Sequence, residues 1–460
     1  MELVMDLAHV AGLPATEQKR LDELLKIYQF HSTKNSEKER YYEGNVPISE
    51  VNLGIAIPKT FKGLEIGCAW GAKAVDVLAA RSMFDGFVDA SGAESEELTR
   101  IVLDNNLVME YIKAVRDELK TGCTFATLSA DPVIGCRIRF HSAKTASAHW
   151  NGEKGRIDYG FAVIDSTKAN GYWEPTLVNY YNDDAIYVMV KAKGVWTATR
   201  HPHRMGRPLM EPLVWNATSS KPFGRSRLKN PIRRLIQGYV RTVANATLAL
   251  EFSTSPQKYL LGVTDEQYDA LINQKFKQYI GSILASTTNP ETGEKPTFGQ
   301  LPQGTIAPHV EMMRTLATQF SAATGLTVTD TGVVSEANPT SSDAILAQSQ
   351  TLVRMAEELN AGNGGALRNI ALMALAITGN TTVEELADEK RNVMAHFRNP
   401  AMPSVAVTAD AAIKIASARQ SFAMTDTFLS MIGFTQADIR LIKAQERMAA
   451  GLATVSELEA

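Results

Sequence analysis

From Glu17 to Gln29 the apolar positions Leu21, Leu24, Leu25 and Tyr28 return at helical spacing, predicting a surface helix that leads into the polar stretch Ser32 to Arg40. Residues 66–84 repeat the period with Trp70, Val75, Leu78 and Met83, and 97–119 predict a third helix with a mixed-charge outer face. The period changes near Gly122. Thr124–Ser129 and Val133–Phe140 read as strands joined by Asp131-Pro132, and Ile157–Ile164, Glu174–Tyr181, Ala185–Lys193 and Val195–His201 follow as β-rich runs. Asn182-Asp183-Asp184 and Lys193-Gly194 supply turn chemistry between them. The pattern is an antiparallel meander, so the fold class is α+β rather than a doubly wound sheet.

Residues 202–230, rich in Pro, Gly and basic side chains, read as mostly irregular. Asn230 as N-cap and Pro231 open a helix in which Ile232, Leu235, Ile236, Tyr239, Val243 and Leu250 share a face. A short strand, Gln257–Val263, a helix over 265–282, a loop at 289–293 and a return over 297–301 come next, then a helix at 308–323. A polar stretch, 325–342, leads to a long helix over 341–360, which Gly362-Asn363-Gly364-Gly365 is expected to break or kink before it resumes at 366–378. After Pro403 the tail reads as helices over 408–420, 425–432 and 435–450.

Charge narrows the function classes. Lys and Arg number 47 against 50 Asp and Glu over 460 residues, a net charge of -3, so there is no global basic field of the kind that grips DNA by counterion release. Cys68, Cys123 and Cys136 form no CxxC pair, which argues against a zinc site or disulfide framework and fits a reducing cytoplasm. The longest apolar runs, such as 370–377, fall short of the roughly 20 residues that span a bilayer, and no basic n-region marks a secretory signal.

Catalytic motifs are missing. Gly67–Lys73 lacks a Walker A arrangement, with Ala72 and Ala74 where Gly and a hydroxyl belong. His201 and His203 flank Pro202 without a clustered ligand. Leu64-Glu65-Ile66-Gly67-Cys68-Ala69-Trp70-Gly71 imitates the first motif of S-adenosylmethionine-dependent methyltransferases, but Ala69 and Trp70 crowd the turn where a cofactor needs close backbone approach. From Lys221 to Arg241 there are seven positive residues and no acidic one, including Arg225, Arg227, Lys229, Arg233 and Arg234. That run suits phosphate, an acidic face of a neighbouring subunit, or plain solvation. The tail after 404 carries five basic against six acidic residues, a poor balance for a helix-turn-helix reader.

Taken in order, several segments resemble the portal proteins of tailed phages, particularly the form common in phages of actinobacteria. They are Tyr41-Tyr42-Glu43-Gly44-Asn45-Val46-Pro47-Ile48, Trp70-Gly71-Ala72-Lys73-Ala74-Val75-Asp76 with Gly86-Phe87, Gly122-Cys123-Thr124-Phe125, and Gly206-Arg207-Pro208-Leu209-Met210-Glu211-Pro212-Leu213. Pro222-Phe223-Gly224-Arg225-Ser226-Arg227, Ser255-Pro256-Gln257-Lys258-Tyr259, Asn338-Pro339-Thr340-Ser341-Ser342-Asp343-Ala344-Ile345 and Leu367-Arg368-Asn369 complete the series. The resemblance implies a non-enzymatic subunit of a dodecameric ring at one capsid vertex, without cofactor or membrane, assembled in the host cytoplasm and kept in the virion. Implied partners are double-stranded viral DNA in an axial channel, the terminase large subunit, the major capsid and scaffolding proteins, and a head-tail adaptor. A minor capsid or adaptor protein that only scaffolds the vertex is the alternative in the same setting.

Mapped onto this chain, the resemblance makes 1–225 the wing, 226–256 the first stem helix, 257–305 the clip, 306–324 the second stem helix, 325–403 the channel loop and long wing helices, and 404–460 the crown. Channel-loop candidates are Thr329, Asp330, Glu336, Asn338, Thr340, Ser341 and Ser342, polar groups beside which DNA could slide, with Asp330 and Glu336 repelling phosphate. Docking candidates for terminase or adaptor are Lys275, Lys277, Tyr279, Glu291 and Lys295.

Overall fold

A computed structural model describes residues 5, 7, 9–46, 66–89, 95–169, 171–254, 258–261, 293, 297–300, 305–333, 342–401, 405–423, 425–434, 438–439 and 441–449. In chain order the N-terminal part is β1 (Val10–Ala11), α1 (Ala15–Tyr42), α2 (Trp70–Ala79), β2 (Phe84–Asp89), α3 (Glu96–Asp104) and α4 (Leu107–Thr121). Strands β3 (Cys123–Asp131), β4 (Gly135–Ser142), β5 (Ala146–Asn151), β6 (Arg156–Ala169), β7 (Tyr172–Tyr181), β8 (Ala185–Ala192), β9 (Val195–Pro202) and β10 (Met210–Val214) follow. Then come α5 (Asn230–Thr254), β11 (Lys258–Leu261), β12 (Thr297–Gln300), α6 (Ala307–Thr324), α7 (Ser342–Thr378), α8 (Asp388–Arg391), β13 (Val393–Phe397), α9 (Val405–Ala418), α10 (Gln420–Ala423) and α11 (Asp426–Ile432). The class is α+β.

The meander is the six-stranded sheet β1-β9-β8-β7-β6-β5, antiparallel from β5 to β9, with β1 added parallel to β9. Its turn at 193–194 uses the conformation the sequence suggested: Lys193 and Gly194 both have positive φ, 49° and 82°. Helix α1 covers one face, where Leu21, Leu24, Leu25 and Tyr28 pack on Phe161, Val178, Tyr180, Tyr187 and Met189. The helix continues through the polar stretch after Ser32 because the inner face of that stretch is tied down. Lys38 Nζ donates to the Thr121 carbonyl at 3.1 Å, and Glu39 pairs with Lys120 at 3.0 Å.

The second core lies under the three-stranded sheet β10-β3-β4, between α2, α4, the base of α5 and the long helix α7. Strand β10 falls in the segment read as irregular. It holds Pro212, which fits because among the described residues β10 pairs with β3 alone and is an edge, where a missing N–H is tolerated. The single helix expected over 97–119 is two helices. Asn106 sits at φ 47°, and the Asn105 side chain pins the corner, donating to the carbonyls of Ile101 and Cys136 (both 3.0 Å) and accepting from Ile138 N at 2.8 Å. Strands β2 and β13 pair across the chain, an arrangement with no local signal.

The expected break at Gly362 is absent: α7 runs unbroken from Ser342 to Thr378. The strand pair predicted on either side of 265–282 forms as β11 and β12, in register from Lys258↔Gln300 to Leu261↔Thr297. The helix expected over 265–282 lies outside the described residues.

Candidate functional site

The glycine-rich stretch that imitates a cofactor turn is a helix joint. Helix α2 starts at Trp70, and a Cβ on Gly71 would collide with the Tyr41 carbonyl of α1, so the missing side chain admits a neighbouring helix rather than a ligand. The Trp70 indole is flanked by Tyr239 of α5, centroids 4.2 Å apart, and Phe320 of α6, 4.8 Å apart, and its Nε1 donates to the Thr331 carbonyl at 3.0 Å. The methyltransferase alternative loses the geometry it needs.

The same joint fixes the start of the polar stretch after α6. Gly325 ends the helix at φ 71°, Leu326 and Thr331 are buried, and Thr329–Thr331 form a 3-10 turn. Thr329 is exposed. The Asp330 carboxylate accepts from both Thr327 N (2.9 Å) and Thr327 Oγ1 (2.8 Å), so it closes its own turn. Ser342 is the first residue of α7, while Glu336, Asn338, Thr340 and Ser341 lie outside the described residues.

The basic run does not form one face. The segment 222–228 is threaded past α4: Arg225 N donates to the Trp215 carbonyl at 3.0 Å, Arg227 N to Leu119 at 2.8 Å, and Ser226 Oγ to Lys120 O at 2.5 Å. That backbone path turns Arg225 and Lys229 outward and Arg227 inward. The buried Arg227 guanidinium donates to the carbonyls of Ala74 in α2 and, at 2.6 Å, Thr324 at the end of α6, and one Nη lies 3.4 Å from Met355 Sδ of α7. Burial pushes its pKa down to about 10, so the group is still a cation at neutral pH. The negative end of the α6 dipole faces it. Arg233 pairs with Glu37 and lies 5.6 Å from the Tyr41 ring centroid, while Arg234 is exposed. Arg225, Lys229 and Arg234 are the candidates left at the surface.

Lys275, Lys277, Tyr279, Glu291 and Lys295 lie outside the described residues. What sequence reading missed is the convergence of two quoted segments. Glu211 Oε2 accepts from Arg207 at 2.6 Å and its Oε1 from Asn369 Nδ2 at 2.7 Å, beside a cleft of about 450 Å³ that Trp150, Arg156 and Pro212 also line. Burial raises the Glu211 pKa despite these partners. The i,i+4 spacing of Arg207 and Glu211 is the available signal, hidden in a stretch whose Pro and Gly content predicts irregular chain.

Comparison with known proteins gives one sequence relative of note. The chain is 24% identical over 408 residues to the portal protein of Mycobacterium phage D29, covering 86% of this chain and 81% of the relative. No family model matches. Among solved structures, a chain of the virion of a native gene transfer agent particle is 10% identical, with 85% of this chain and 90% of that chain covered and a TM-score of 0.45. A chain of the neck of an empty gene transfer agent particle, computed with C6 symmetry, is also 10% identical, at 79% and 90% coverage and a TM-score of 0.45.

Proposed function

We propose that this chain, of the tailed-phage portal family, is the subunit of a dodecameric ring at one capsid vertex, through whose axial channel double-stranded DNA enters and leaves. The observation that carries the reading is the sequence likeness to a portal protein along most of both chains. The fold supports it: α5 and α6 pack together through Trp70, Tyr239 and Phe320, and the strand pair β11–β12 lies in the chain between them. In this reading α5 and α6 are the stem, 257–305 the clip, 325–342 the channel loop, the tail after Pro403 the crown, and the two sheets with α1–α4 and α7 the wing.

The ring acts by shape. Subunits close it by heterologous contacts, a separate terminase ATPase supplies the work, and the chain itself breaks no covalent bond. Because Asp330 is held in its own turn, the exposed Thr329 is the described candidate for the surface beside moving DNA. Major capsid and scaffolding proteins would meet the wing, and terminase or the head-tail adaptor the clip, placing the assembly in the virion after formation in the host cytoplasm.

Electron microscopy of the purified chain is expected to show rings with an axial hole and twelvefold symmetry; monomers throughout would reject the reading. Charge reversal at Lys275 and Lys277 is expected to leave rings intact while lowering terminase stimulation or DNA packaging severalfold, as the loss of steering contacts does. Normal packaging by that variant would remove the segment around Lys275 and Lys277 from the docking face.

A further inference from the structure

The run Gly362-Asn363-Gly364-Gly365 lies in the unbroken helix α7, and nothing in the static packing calls for glycine there. A Cβ on Gly365 would meet open space, on Gly364 the nearest atom is Phe397 Cε2 at 3.6 Å, and on Gly362 it is the Val214 carbonyl oxygen at 3.9 Å. None of the three has a positive φ. Glycine weakens a helix relative to alanine through backbone entropy, so three within four residues mark the weakest point of α7.

The remaining residue, Asn363, is fully buried and is the tether. Its Nδ2 donates to Glu118 Oε2 of α4 at 2.8 Å and to the Tyr111 hydroxyl at 3.1 Å. The Tyr111 hydroxyl is 2.8 Å from Ser82 Oγ, which donates to Asn360 Oδ1 at 2.6 Å, on the same inner face of α7. Two oxygens of this chain of bonds, Glu118 Oε1 and Asn363 Oδ1, are buried without a partner among the described residues. Both are acceptors when Glu118 is ionised; a proton on the carboxyl turns one of them into a donor.

Among the described residues no cation faces the carboxyl. Its own helix presents Tyr111, whose phenol burial also pushes up, and β3 presents Cys123, with a thiol pushed up to about 12. Lys38 of α1 interacts with that thiol. The long helix offers asparagines, and the residues before β2 offer Ser82. Burial accordingly pushes the Glu118 carboxyl up to about 8, against the Asn363 hydrogen bond, which by itself favours the ionised form.

We propose that Glu118 and Asn363 form a proton-held latch on a glycine hinge in α7: with the carboxyl neutral the buried pair stays dry and the helix continuous, and ionisation, which draws water to the buried carboxylate, frees α7 to bend at 362–365. The direction with pH follows from linkage. A carboxyl whose folded pKa is raised contributes its full stability below the ordinary carboxyl range and loses it as pH climbs from there to about 8.

Hydrogen–deuterium exchange of the full chain tests this, read on peptides spanning 358–370 between about pH 6 and pH 9.5 after correction for intrinsic exchange. Wild-type protection there is expected to fall about tenfold or more, while peptides of the six-stranded sheet stay flat. Glu118→Gln should hold its protection across the range. The triple change Gly362→Ala, Gly364→Ala, Gly365→Ala should suppress the loss and raise the melting temperature. Flat wild-type protection, or alanines that leave the loss in place, overturns the proposal, and the readout stands whether or not rings form.

Discussion

Trp70→Ala is expected to lower the unfolding free energy by about 3–5 kcal/mol, the range for removing a large aromatic side chain from a packed core. The residue is 3% exposed, and its ring separates Tyr239 from Phe320, so truncation opens a void between α5 and α6 that neither helix can close without moving. It also leaves the Thr331 carbonyl without its indole donor. Trp70→Phe keeps most of the ring contact and forfeits that bond, for a loss of about 1–2 kcal/mol. Urea titration of the three proteins, with slopes compared, checks both values. A Trp70→Ala protein within about 1 kcal/mol of wild type would show that this joint does not hold the helices together.

Arg227→Ala is expected to cost about 2–4 kcal/mol, since hydrogen bonds from a charged donor contribute more than neutral ones and the aliphatic stem is lost with them. The guanidinium bridges three helices, α2 through Ala74, α6 through Thr324 and α7 beside Met355. The Thr324 carbonyl is at a helix end and has no helical donor to fall back on. Arg227→Lys keeps the charge but presents one nitrogen where two carbonyls on separate helices must be reached, and is expected to recover less than half of the loss. Arg225→Ala, two residues away and exposed, serves as the control and should stay within about 0.5 kcal/mol. Equal losses at 225 and 227 in the same denaturation series would sink the distinction.

Both changes strike one joint, where α2, α5, α6 and the turn at 329–331 meet. The sequence segments that carry the portal resemblance supply much of it: Tyr41, Trp70, Gly71 and Arg227 come from three separate runs and end within one set of contacts. Glu211 and Asn369 do the same from two others. A resemblance spread thinly along a chain is thus, in part, a record of tertiary joints.

Local periodicity was enough for the fold class, for the meander with its turns, and for the extent of α5, α6 and α11, because amphipathic spacing and turn residues act within a few positions of themselves. It failed where a distant element decides. Asn105 and Asn106 split a helix because the Asn105 side chain finds backbone partners in β4; Pro212 joins a strand because only one side of β10 is paired. The glycines at 362–365 lie in an unbroken helix whose buried Asn363 is bonded to a residue 245 positions away. In the basic run, spacing alone could not say that Arg225 faces water and Arg227 the interior, since both are equally polar and only the path of 222–228 past α4 separates them. What the residues determine unaided is where helices and strands can form; which polar side chains are buried, and so which are free to meet DNA or another subunit, depends on partners brought together only when the chain is folded.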